Sequence, residues 1–130
     1  MKYLKIILFL FVISLFSFCK KDNKNCQNFK YGKFTQNLEE LKIIVYSERT
    51  KDGYQLDSSK FGVSKYKLTW KSECDLESKL VETNIPISKK YIGRTYYVSV
   101  LKSLSKSSYI YKCQVKGIDF VDIDTIVKIN

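Results

Sequence analysis

Histidine is absent from the 130 residues, and that absence narrows the chemistry more than any motif does. Without imidazole the commonest general base is gone, along with the Ser–His and Cys–His nucleophilic pairs and one of the two usual zinc ligands. Proline occurs once, at Pro86, and glycine only five times, so no stretch has the composition of a flexible linker. Arginine, the usual reader of bases, is confined to Arg49 and Arg94 among 23 basic side chains. The net charge of +10 is therefore lysine scattered over every segment, without the basic stripe a nucleic-acid binder presents. No nucleic-acid partner is expected. Past Phe18 there is no long apolar run, and past residue 26 no apolar stripe of helical period, which argues against a helical bundle.

What is present begins with an address. Lys2 and Lys5 precede an apolar core, Ile6 to Phe18, broken only by Ser14 and Ser17. A charged start and a core too short for a comfortable membrane span make residues 1–18 a signal peptide, expected to be helical, with a retained signal anchor as the competing reading. Cys19 ends the core and is followed directly by Lys20, Lys21, Asp22 and Asn23. This arrangement resembles a bacterial lipoprotein signal. The resemblance implies that Cys19 is the acylated new N-terminus, that residues 19–25 are a tether, and that lipid chains hold the protein on a bilayer. Phe18 departs from the small residue usual before that cysteine. An ordinary cut near Ser17 or Cys19, releasing a soluble periplasmic protein, stays open beside it. Setting aside residues 1–18 leaves a net charge of +8, suited to anionic headgroups or simply to solvating the outward faces.

Residues 26–130 read as a single all-β domain. In the stretch Lys65 to Thr83, Tyr66, Leu68 and Trp70 alternate with Lys65, Lys67, Thr69 and Lys71. After the polar break Ser72-Glu73 the period resumes with Cys74, Leu76 and Leu80. Two half-buried strands joined by a tight turn make a hairpin, with the single tryptophan pressed into a core. Asn28 to Thr35 reads as an earlier strand with a bulge at Gly32, Gln36 to Glu40 as a turn or one loop of helix, and Leu41 to Arg49 as a β-branched strand. Asp52-Gly53 is a hairpin signal, with Glu48-Arg49 at its solvated tip. Further strands follow at Arg94–Leu101 (Tyr96, Val98 and Val100 on one face), Tyr109–Val115 and Ile118–Ile129. About eight short strands with short connections predict an antiparallel up-and-down meander, a lipocalin-like barrel or a sandwich.

If Cys19 is acylated, Cys26, Cys74 and Cys113 remain. In a meander the first and fifth strands begin at the same end of the sheet, which predicts a Cys26–Cys74 disulfide. Cys113 then sits deep in the seventh strand as a small buried hydrophobe. No metal site is expected, since the cysteines lack ligand spacing, and no cofactor is implied. The best catalytic candidates are Asp122 and Asp124, two carboxylates on one strand face, roughly 7 Å apart as an inverting glycosidase pair requires. The simpler expectation is that both face water opposite Val121 and Ile123, held ionised by nearby lysines and unfit to donate a proton. Trp70, Tyr96, Tyr109 and Tyr111 are the candidate lining of a ligand cavity, because aromatic rings offer an apolar face and, in tyrosine, a polar tip.

Taken together, Cys19-Lys20-Lys21-Asp22, Cys26-x-x-Phe29-x-x-Gly32-x-Phe34 and Trp70-x-x-x-Cys74 resemble small export-tagged lipoproteins of Gram-negative bacteria with no established activity. The resemblance implies an all-β periplasmic or surface domain and carries over no catalytic residue. The expectation is a non-enzymatic binding module, anchored to the membrane by its N-terminal lipid and taking a small apolar or sugar ligand or an envelope protein. The alternatives are an inhibitor of an exported hydrolase, presenting the loop Ser103 to Ser108, and a glycan-acting enzyme using Asp122 and Asp124.

Overall fold

Alternation of side chains at every second residue fixes the elements of this chain, because a strand presents successive residues to opposite faces. A computed structural model describes residues 25–130; the signal peptide, Cys19 and residues 20–24 of the tether lie outside the described residues. The strands are β1 (Gly32–Leu38), β2 (Ile43–Arg49), β3 (Tyr54–Ser59), β4 (Gly62–Trp70), β5 (Asp75–Thr83), β6 (Thr95–Ser103), β7 (Ser108–Val115) and β8 (Val121–Lys128). Each pairs antiparallel with its sequence neighbour, and β8 returns to β1, so the meander is a closed barrel and not a sandwich. The only helical pieces among the described residues are short 3-10 turns at Gln27–Phe29, Glu39–Leu41 and Pro86–Tyr91. None is long and apolar enough to cross a membrane, which says nothing about strands.

The central hairpin forms from β4 and β5 with the expected phase: Leu68, Leu76 and Leu80 are buried, and Tyr66 and Trp70 lie on the same inward side. A register shift beside Tyr66 pairs Lys65 with Glu82 but Tyr66 with Leu80, leaving Val81 as the extra residue of a bulge. The first strand begins later than the sequence pattern suggests. Gln27–Phe29 turns, with the Phe29 amide donating to the Cys26 carbonyl at 3.0 Å, and this swings Phe29 beneath the barrel. Gly32 is accordingly the first residue of β1 instead of a bulge within it. Its φ of +116° is a glycine conformation, and a Cβ there would meet the Asn130 carbonyl and, at 2.8 Å, the Lys128 Cε.

Odd-numbered strands start at one end of the barrel, and Cys26 and Cys74 meet there in a disulfide with Cα atoms 5.2 Å apart. A disulfide is the mark of an oxidising, non-cytoplasmic compartment. Cys113, half-buried on β7, is free. The apolar core gathers at the bridged end, where Phe34, Leu76, Val100, Tyr109 and Ile126 pack round Phe29. Toward the other end the inward positions turn polar.

Candidate functional site

The barrel is plugged from below by aromatic side chains. Phe29 is fully buried and lies edge-on to Phe34 (ring centroids 5.7 Å apart) and Trp70 (6.4 Å), and tilted against Tyr109 (5.0 Å). Into this floor β2 delivers Arg49, only 6% exposed. Its guanidinium carbon stands 4.0 Å from the Phe29 ring centroid, 4.9 Å from that of Phe34 and 5.9 Å from that of Trp70, a cation enclosed by π faces. Nη1 donates to the Phe29 carbonyl at 2.7 Å and Nε donates to Gln55 Oε1 at 2.8 Å. Burial pulls the Arg49 pKa down to about 10, against the opposing pull of Asp57 and Tyr111, so the group keeps its proton at neutral pH.

Gln55 then relays the charge. Its Nε2 donates to Asp57 Oδ1 at 2.7 Å, so a buried cation and an inward-facing carboxylate are joined through one amide instead of touching. Burial raises the Asp57 pKa above the ordinary aspartate value, opposed by hydrogen bonds from Ser47 and Gln55 and by the Arg49 charge. Gln55 and Asp57 point inward because β3 places them on the same side as Ser47 and Arg49, while Leu56 points out.

Above this relay is a chamber of about 300 Å³, at the small end of ligand pockets. Tyr66, Tyr96 and Tyr111 line it together with Ser47, Ser78 and Cys113. Tyr66 and Tyr96 are edge-on at 6.3 Å, and Gln36 Nε2 donates to the Tyr111 hydroxyl at 2.5 Å. Burial raises the pKa of all three phenols and pushes the Cys113 thiol up to about 11. The walls are thus neutral hydroxyls and a neutral thiol, with carboxylates at Asp57 and, on β8, Asp122.

The chamber borders the part of the barrel that closes least well. Most neighbouring strands pair along most of their length, but β1 and β8 share only the pairs Phe34–Lys128 and Thr35–Val127, backed by hydrogen bonds between Lys33 and the last two residues. Beyond Thr35 the ladder stops and the two strands diverge. A groove lies over this seam, with Leu41, Ile44, Tyr46 and Ile123 on its banks and Glu39, Glu40 and Asp124 among them. Phe120 and Asp122 line both groove and chamber, so the two adjoin there.

The candidate residues therefore divide. Tyr96 and Tyr111 line the chamber; Trp70 and Tyr109 belong to the floor, Tyr109 buried with its hydroxyl donating to the Lys106 carbonyl at 3.0 Å. Asp122 and Asp124 do not face open water opposite a buried Val121 and Ile123. The phase is inverted: Val121 and Ile123 are 51% and 58% exposed, and Asp122 faces the chamber across the strand from Cys113. Arg49 is likewise in the floor and not at a solvated hairpin tip. Pattern reading assigns the apolar phase of each strand to the core, and β2, β3 and β8 enclose polar groups instead. Arg49 ends β2 in the phase of Ile43, Val45 and Ser47, but the opposite phase holds Ile44 and Tyr46, so the sequence alone does not say which side is inward. Among the described residues no three His, Cys, Asp or Glu side chains converge on a metal position.

Against known proteins the chain matches no family model, no curated protein and no solved structure.

Proposed function

We propose that this protein is a non-enzymatic binding module that takes a small ligand into the barrel chamber, and that in the cell it is exported and held at a membrane surface through lipid on Cys19. The observation that carries the first half is the partly open space of about 300 Å³ above the Arg49 floor, walled by hydroxyl groups, aromatic rings and two carboxylates and adjoining an outer groove. A mixture of apolar wall and a few fixed polar groups is what orients a bound small molecule. The walls also lack a poised nucleophile: the thiol and phenols are held in their protonated forms, and the chain contains no imidazole to activate them. For the second half, the supports are the charged start, apolar core and cysteine of residues 1–19, together with the oxidising compartment that the disulfide marks.

The test is a thermal-shift screen with small sugars, amines, phenols and fatty acids, run on the protein and on a Ser78→Leu variant that fills the chamber. A chamber ligand raises Tm by mass action in the first and not in the second, with circular dichroism confirming that the variant folds. Equal shifts in both proteins, or no shift with any class, contradict the reading, as would hydrolysis of a glycan that disappears in Asp122→Asn. Mass spectrometry of the native N-terminus decides the anchor: diacylated Cys19 supports it, and an intact Met1 removes it.

A further inference from the structure

The chain is strongly basic, with 23 Lys and Arg against 13 Asp and Glu, yet the space inside and beside the barrel reverses that balance. Asp57 and Asp122 line the chamber, and Asp122, Asp124, Glu39 and Glu40 line the groove at its mouth. Among the described residues Arg49 is the single cation lining either surface. It is spent in the floor, held by the Phe29 carbonyl, Gln55 and three rings, with its charge offset through Gln55 by Asp57. Among the described residues no lysine or arginine forms an ion pair with the Asp122 carboxylate at the chamber wall. Tyr111 lies close enough to feel its charge, and Tyr66 and Tyr96 line the same chamber; the rings attract cations and the hydroxyls accept hydrogen bonds.

We infer that the chamber selects a small organic cation, an ammonium group on an aromatic or short apolar body, admitted through the seam between β1 and β8. This inference rests on the ligand-chamber reading above and specifies its occupant. An anionic ligand would have to enter past four carboxylates to reach a guanidinium already hydrogen-bonded. A neutral sugar would gain nothing from the reversed charge. A body of short apolar length suits the volume of about 300 Å³, and its passage suits the apolar banks at Ile44, Tyr46 and Ile123. On a molecule of the opposite net charge, acids gathered at one mouth raise the local concentration of cations there.

Isothermal titration with three molecules sharing one body isolates the charge: tyramine, para-ethylphenol and para-hydroxyphenylacetate. The expected result is that tyramine binds at least about tenfold more tightly than the phenol, as a charge-assisted hydrogen bond provides, and that the acid binds weakest. Asp122→Asn should weaken tyramine by about tenfold and leave the phenol unchanged, and added salt should weaken tyramine alone. Should Asp122→Asn fail to fold, Glu39→Gln with Glu40→Gln at the mouth should slow tyramine association at low salt. Equal affinity for the phenol or the acid overturns the charge inference while leaving the ligand chamber standing. The same holds if none of the three binds but a sugar or fatty acid raises Tm in a Ser78-dependent way. If nothing raises Tm in that way, both fall together.

Discussion

Arg49 does more to define this interior than any aromatic residue. A guanidinium taken from water needs all its company at once, and it has a carbonyl, an amide and three ring faces. Arg49→Ala is therefore expected to cost about 3 kcal/mol, because it leaves the Phe29 carbonyl and Gln55 without their donor and opens a gap in the floor. Urea unfolding measures this, and a loss of less than about 1 kcal/mol would mean that the floor is held by the rings alone. At Asp57 burial raises the pKa, so between the ordinary aspartate value and the raised one the folded state binds more protons than the unfolded chain. Stability from this group is therefore greatest at acid pH and falls as pH rises through that window. Asp57→Asn has no such slope: its stability relative to the native protein should improve as pH rises through that window, and a constant difference would contradict the assignment. Neither residue was legible in the sequence, where Arg49 and Asp57 resemble ordinary hairpin-flanking charges. Burial of a charge depends on partners brought from other elements, here Phe29 from the N-terminal turn and Trp70 from β4.

Among the elements, strand alternation was legible wherever one phase is aliphatic or aromatic and the other is charged, as in β4 with Tyr66, Leu68 and Trp70. It misled where both phases hold apolar residues or where the inward phase is polar. In β8 the apolar set Val121, Ile123 and Val127 points outward, and only Ile126 reports the true inward phase. The reason is the seam. With β1 engaged by only two residue pairs, the outer flank of β8 borders an open groove, and Ile123 and Val127 line that groove instead of a core. The opposite end is clamped by Cys26–Cys74, a pairing that followed from strand parity alone. Closing a loop of sequence separation 48 restricts the unfolded chain by about 4 kcal/mol in the chain-entropy model. Cys26→Ser with Cys74→Ser is thus expected to lower unfolding free energy by roughly that amount, whereas Cys113→Ala, away from the bridge, should cost about 1 kcal/mol or less. Equal losses in the two proteins would mean that the bridge adds no more than a buried thiol does.

For the whole molecule, the barrel was readable because eight short alternating segments with tight connections admit few architectures; closure was not, since it depends on whether the last strand finds the first. The same limit applied to the site. Its members come from all eight strands, so no local motif marks them: Tyr96, Tyr111 and Asp122 stand out singly, while Gln36, Ser47, Asp57 and Ser78 are each unremarked in sequence. Global charge pointed to anionic surfaces outside, while the interior reverses the sign. A basic exterior facing anionic headgroups and an acidic mouth facing cations can operate on one molecule without interference, because surface charges separated by more than about 8 Å are screened at physiological salt. The most direct measurement is a nitrogen-15 NMR titration of the folded protein with tyramine. Saturable shifts at the amides of Tyr96, Tyr111, Cys113 and Asp122, with the exposed Lys67 and Lys79 unmoved, are the predicted result. Shifts confined to outward-facing residues, or none that saturate, would contradict it.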